Sequence, residues 1–159
     1  MHHAFTKPFT HEEAIRDWLR FGWGISEAEL IKDGMTVALE HSRVANDIVQ
    51  LGAITILKEL LSGTISVRLV VSGPVLVMPV ARALVQAADV GVVVRYNLAQ
   101  KTTSLTFYTE TGADLSWTEN EPWNGGGRPN CKGTTHPALM PIDTLIEWLE
   151  LSQKGKESD

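Results

Sequence analysis

The sequence predicts an α/β (α+β) fold, a mixed β-sheet of about five strands covered by helices, in one compact unit of 159 residues. Three observations predict it. Apolar residues recur at helical period in segments that open on capping boxes. Other segments are rich in β-branched residues that alternate at period two. One nearly unbroken apolar run, Val90 to Tyr96, has the composition of a central strand buried on both faces. Strand pairs interleaved with helices suit a sheet with helices packed on it.

The first capping box, Thr10-His-Glu-Glu13, opens a short helix through about Phe21, with Ile15, Trp18 and Leu19 on one face. Gly22 and Gly24 bracket Trp23 and end it. A second box, Ser26-Glu-Ala-Glu29, opens a longer helix. Val37, His41, Val44, Ile48 and Leu51 follow alternating steps of four and three along it, and Gly52 is a suitable stop. Residues 1–52 thus read as a helical N-terminal region, 53–151 as a sheet domain and 152–159 as a charged, frayed tail.

Ala53 to Leu57 is β-branched, Ser62-Gly63 makes a turn, and Ile65, Val67, Leu69 and Val71 alternate with the residues between them, so a hairpin is expected. Gly73-Pro74 breaks it, and a helix follows from about Pro79 to Ala88. After the Val90–Tyr96 strand, Asn97 to Lys101 turns the chain and Thr102 to Thr109 pairs back. Glu110 to Gly127 reads as irregular, Cys131 to Thr135 as a short last strand, and Pro141 as the start of a final helix with Leu145, Ile146, Trp148 and Leu149 on its apolar side.

Composition bounds the function. The net charge of -5 excludes a histone-like polyanion binder, so any polyanion site has to be a local cluster on an acidic body. No apolar run approaches the ~18 residues of a membrane span, and the start lacks the apolar core of a secretory signal. Cys131 is the single cysteine, so no intramolecular disulfide forms, which fits a cytoplasmic location.

The segment richest in chemistry is Trp123-Asn-Gly-Gly-Gly-Arg-Pro-Asn-Cys-Lys-Gly133. Consecutive glycines let backbone approach a ligand closely, and successive N–H groups can form an anion-binding nest. Arg128 and Lys132 add charge, and Asn130 adds an amide. Arg suits phosphate because its planar fork binds two oxygens together. Composition alone fits a flexible surface loop equally well. The segment is not a P-loop, because Lys132-Gly133-Thr134 inverts the required order.

A glycine triplet, a basic residue, Pro-Asn, a spacer and a glycine resemble the GGGGHPNAAG signature of DHHA1 domains, the accessory domains of DHH phosphoesterases. The strand Ala88-Asp-Val-Gly-Val-Val-Val-Arg-Tyr96 followed by Thr103-Ser-Leu-Thr-Phe-Tyr108 resembles that family's strand pair, whose second member ends in Ser-Leu-Arg-Ser. The order of elements from Glu12 to His136 is also similar. The resemblance implies a domain that grips short oligonucleotides, cyclic dinucleotides or polyphosphate across a cleft from a catalytic DHH domain. It places Gly125, Gly126 and Gly127 against phosphate, Arg128 at the motif His, Asn130 in the Pro-Asn step, Lys132 beside them, and Ser104 and Thr106 on the binding strand. It implies no cofactor in this chain, with manganese in a partner DHH domain. The implied partners are the phosphate end of a nucleotide or short oligonucleotide, a separate DHH catalytic subunit, or a second copy of the chain, and no membrane.

Two positions depart from the pattern. Arg128 replaces the motif His, so it can hold phosphate but cannot shuttle a proton near pH 7. Thr106 replaces the strand Arg, which removes a bidentate anchor. The catalytic half is missing, because none of His2, His3, His11, His41 and His136 lies in an Asp-His-His triplet. His41 reads as a helix-interface residue, His136 as a loop residue beside Pro137, and Cys131 has no candidate base at an interpretable spacing. Trp117 and Trp123 flank the glycine segment and either stack on a base or pin the segment to the core. Asp114, Glu119 and Glu121 would repel an extended phosphate backbone, which favours a short ligand end. Four functions compete: a non-catalytic phosphate-end-binding accessory domain, a protein–protein module that kept the fold and lost the ligand, an enzyme with its own chemistry, for which no residue pattern speaks, and a fragment of a full-length phosphoesterase.

Overall fold

The computed structural model describes residues 27–73 and 76–152. The expected first helix with Trp18, the Trp23 turn, Ser26, His2, His3, His11 and the tail beyond Ser152 lie outside them. The chain divides into two compact units, 1–44 and 45–159, and the boundary falls inside helix α1 (Glu27–Gly52). In the first unit, Arg43 pairs with Glu40 one turn away and holds its carboxyl below the usual carboxylate range.

In the second unit, β1 (Ile54–Leu60) and β2 (Gly63–Val71) form the expected antiparallel hairpin, with Leu60 opposite Gly63. Helix α2 (Val77–Leu84) follows, and β3 (Val90–Asn97) returns parallel to β2. Then β4 (Thr102–Tyr108) folds back antiparallel on β3. A 3-10 turn (Ser116–Glu119) leads to β5 (Gly126–Arg128), β6 (Cys131–His136) and helix α3 (Ile142–Glu150). The sheet is mixed, in the order β1-β2-β3-β4-β6-β5.

Val90 to Tyr96 lies inside this sheet as expected, and Val90, Gly91, Val92, Val93 and Val94 are all buried. The alternation of β3 and β4 separates two cores. One face sends Val90, Val92, Val94, Leu105 and Phe107 against Leu145 and Leu149 of α3 and against Trp117 and Trp123. The other packs Val70 and Val93 under Val80, Ala81 and Leu84 of α2 and under Ala45 and Val49 of α1. Gly91 is where α2 comes closest, because a Cβ there would stand 2.9 Å from Leu84 Cβ.

The sheet is mixed as expected, with six strands for about five, and the glycine segment Gly126–Arg128 supplies one of them. Three expectations need correction. Helix α2 runs from Val77 to Leu84, not from Pro79 to Ala88. Pro79 occupies its third position, where the missing N–H belongs to the unsatisfied first turn. The chain leaves the helix early because Asp89 is drawn to the sheet, its carboxylate accepting from the Ser66 N–H at 2.9 Å and the Ser66 hydroxyl at 3.2 Å. Along α1 the expected stripe holds in part: Val37 and Leu51 are exposed, Ile48 packs against the core, and Ala45 and Val49 are buried beside it. His136 is no loop residue but the last residue of β6.

A candidate anion-binding face on the sheet

The site is best located from side-chain alternation. In β4, Thr103, Leu105 and Phe107 face the aromatic core, so Ser104, Thr106 and Tyr108 face the other way. Register carries that second face across the sheet. Arg95 pairs with Ser104 and Ser104 with Thr135; Val93 pairs with Thr106, Thr106 with Gly133 and Gly133 with Gly126; Tyr108 pairs with Cys131 and Cys131 with Arg128. Helix α2 covers the part around Gly91 and Val93. Toward β4, β6 and β5 the face opens, with Ser104 and Thr106 half-buried and Gly126, Arg128, Gly133 and Thr135 exposed.

The floor of this open part is unusually bare. Gly126 and Gly133 lie side by side, and Thr106 stands next in the row. A Cβ at Gly126 would meet nothing within 4 Å, and one at Gly133 only the Leu105 carbonyl at 3.8 Å. One border of the floor carries Arg128. The other carries Thr135 and Ser104, whose hydroxyl oxygens lie 3.3 Å apart, and then Arg95. Neither arginine has a hydrogen-bond or ion-pair partner among the described residues. None of β3, β4, β5 or β6 contains an Asp or Glu. Two unpaired cations, two hydroxyls and exposed backbone suit an anion with a flat body.

The glycine segment is built differently from the open nest expected of it. The Gly125 N–H is committed to the Thr118 carbonyl at 2.7 Å, and Gly126 to Arg128 pair with β6. Pro129 and Asn130 form the turn of this edge hairpin; both are exposed, and the Asn130 carbonyl accepts the Thr109 N–H. Gly127 has φ +141°, and a Cβ there would stand 2.6 Å from the Cys131 carbonyl oxygen, so no other residue fits this close hairpin.

Lys132 is not on the open face. Between Cys131 and Gly133 it points the opposite way, opposite Phe107, and is 7% exposed. Its ammonium donates to the Glu119 carboxylate at 3.0 Å and to the Gly127 carbonyl at 3.3 Å. The pair also places Glu119 away from the open face, on the side of the aromatic core. Trp117 and Trp123 lie in that core, edge-on to Phe107 with ring centroids 5.6 and 5.2 Å away, so they pin the segment and do not line the face. His136 also faces that side, its ring 5.7 Å from Trp148, and burial pushes its pKa below the ordinary histidine value.

Of the eight expected site residues, the structure gathers Ser104, Thr106, Gly126 and Arg128 on one face, sets Asn130 at its edge, holds Gly125 and Gly127 in the hairpin backbone and turns Lys132 away. Arg95 belongs to the face and was missed. The signal that finds it is strand register, since it sits directly across from Ser104.

Among the described residues no three His, Cys, Asp or Glu side chains are grouped to hold a metal ion. No helix among them is long and apolar enough to cross a membrane.

No protein-family model and no curated protein matches the chain. Among solved structures it is similar to PggH, the pGpG-specific phosphodiesterase from Vibrio cholerae, with a TM-score of 0.56 at 10% sequence identity. The match covers 96% of this chain and 53% of that one, so this chain spans about half the length of the phosphodiesterase. At this identity the likeness is one of fold: the chain has a fold found within a phosphodiesterase.

Proposed function

We propose that this chain binds the phosphate end of a nucleotide or short oligonucleotide on the open β4–β6–β5 face, as the DHHA1-like accessory domain of a DHH-type phosphoesterase. In this reading the chain is non-catalytic alone, and a separate DHH domain supplies the metals and the chemistry. The observation that carries it is the register that brings Ser104, Thr106, Gly126 and Arg128 onto one acid-free face. The fold likeness to roughly half of a pGpG-specific phosphodiesterase supports it at the level of fold. Of the acids in the 114–121 segment, Glu119 is engaged by Lys132 and so weighs less against an anion.

The test is a titration of 5′-phosphorylated dinucleotides into the wild type, Arg128→Ala and Lys154→Ala, the last removing an equal charge elsewhere in the chain. Loss of a charged hydrogen bond of about 1.5–3 kcal/mol should weaken binding to Arg128→Ala about ten- to a hundredfold. Lys154→Ala should bind as the wild type does, and all three should unfold at the same temperature. The chain alone should not hydrolyse pApA or bis-nitrophenyl phosphate with manganese. No saturable binding at millimolar ligand, or Arg128→Ala binding as well as wild type, would reject the pocket in favour of a protein–protein module. Turnover lost on mutating a residue of this chain would reject the non-catalytic assignment.

A further inference from the structure

We infer that Arg95 is a second cationic anchor of this face, so that the site takes an elongated ligand with two separated anionic groups, a phosphorylated dinucleotide or longer, in preference to a mononucleotide. The inference rests on the reading of the face as a phosphate site and adds to it a residue and a ligand length.

The geometry is that of a trough with a cation at each of two opposite corners. Its floor is the row Gly126, Gly133 and Thr106, two residues without side chains and one small one. Arg128 stands at one corner, on β5. Arg95 stands at the opposite corner, on β3, across from Ser104. Three strand spacings of about 4.8 Å separate β3 from β5 in the order β3-β4-β6-β5, and four residues of about 3.3 Å separate Cys131, the partner of Arg128, from Thr135 in the Arg95 row. The two Cα atoms are thus on the order of 20 Å apart, and the two long side chains shorten that span. A phosphate held at either corner leaves the other corner's guanidinium without an anion of its own. A phosphorylated di- or trinucleotide can reach both while its sugar and base lie on the bare floor.

Arg95 has the surroundings of a binding residue. It is exposed and has no partner among the described residues, whereas Lys58 and Lys132 are buried and tied to carbonyl or carboxylate oxygens. Ser104 and Thr135 stand beside it with hydroxyls able to share the same anion. Thr106 also lies near it. The two are diagonal neighbours across β3 and β4, a relation that puts Cα atoms about 7–8 Å apart, within range of a long side chain. Its guanidinium can therefore serve the part of the face where Thr106 offers only a hydroxyl.

The test uses pGpG and GMP as probes, titrated into the full chain as wild type, Arg95→Ala, Arg95→Lys and Arg128→Ala at several salt concentrations. Arg95→Ala should weaken pGpG about ten- to a hundredfold and change GMP binding by less than about twofold. Each phosphate contact contributes about 0.7 to the slope of log affinity against log salt for single strands, so Arg95→Ala should reduce the pGpG slope by about that amount. Arg95→Lys keeps the charge and loses the fork, so it should retain the slope and lose part of the affinity. If Arg95→Ala binds pGpG like wild type while Arg128→Ala does not, the second anchor is wrong and the phosphate site stands. Equal weakening of GMP and pGpG by Arg95→Ala also overturns the second anchor. If the wild type binds neither probe, the phosphate site itself is wrong and the inference falls with it.

Discussion

Removing the Glu119 carboxylate should destabilise this protein more than removing its cationic partner. Lys132 and Glu119 are bonded at 3.0 Å, but their surroundings differ: the Lys132 side chain is 8% exposed and that of Glu119 is 49% exposed. Glu119→Gln leaves the ammonium in the interior without a counter-charge, its acceptors being the Gly127 carbonyl and, at most, the neutral amide oxygen that takes the carboxylate's place. Stranding one member of a fully buried pair costs about 3–5 kcal/mol. Because the carboxylate is half in water and one hydrogen bond survives, about 2–3 kcal/mol is the reasonable figure here. Lys132→Met removes the charge along with the need to solvate it and fills similar volume, so it should fall within about 1.5 kcal/mol of wild type. The double variant should lie close to Lys132→Met. Urea unfolding of the four proteins gives the coupling directly, and Glu119→Gln should lower the melting midpoint by roughly 5–10 °C. If Glu119→Gln costs less than about 0.5 kcal/mol, or if Lys132→Met costs as much as Glu119→Gln, the reasoning from burial is wrong. Lys132→Met should also leave nucleotide affinity unchanged, because the side chain lies on the other side of the sheet.

Gly91→Ala should cost about 1–3 kcal/mol by overpacking, since its Cβ would stand 2.9 Å from Leu84 Cβ and 3.2 Å from the Ala81 carbonyl, whereas Gly126→Ala, with nothing within 4 Å, should be nearly neutral by the same urea assay. Stability should also fall on mild acidification. His136 has a folded-state pKa below 6.5, so its share of stability is complete above 6.5 and is lost as pH drops toward the folded value. His136→Gln should flatten the melting profile between pH 7.5 and 5, and an unchanged profile would exclude His136 as its source.

How far the sequence could be read depended on whether the deciding interaction was local. The β1–β2 and β3–β4 hairpins were legible because Ile65 to Val71 and Thr103 to Tyr108 carry period-two alternation, and Val90 to Val94 carries an apolar run. The end of α2 was not, since the bond that stops it joins Asp89 to Ser66, a partner 23 residues earlier. Strand β5 was not, because glycine has neither strand propensity nor a side chain to alternate, and its pairing to β6 makes it a strand. Lys132 shows the same limit. Its place in a glycine-rich basic segment suggested an anion ligand, but pairing with Phe107 turned it inward. Arg95 was overlooked for the complementary reason: only the register between β3 and β4 reveals which hydroxyls it joins.

The two edges of the sheet differ in a way that bears on handling the protein. One edge strand, β5, has three residues, two of them glycine, and ends at a proline turn, so it offers an incoming strand almost nothing to pair with. The other, β1, has seven residues, with Ile54 42% and Leu57 69% exposed. An edge of that length, with two exposed apolar residues, is a template for strand addition. Self-association at high concentration should therefore begin at β1, on the far side of the sheet from β5, and a charged residue in place of Leu57 would raise solubility without disturbing the trough.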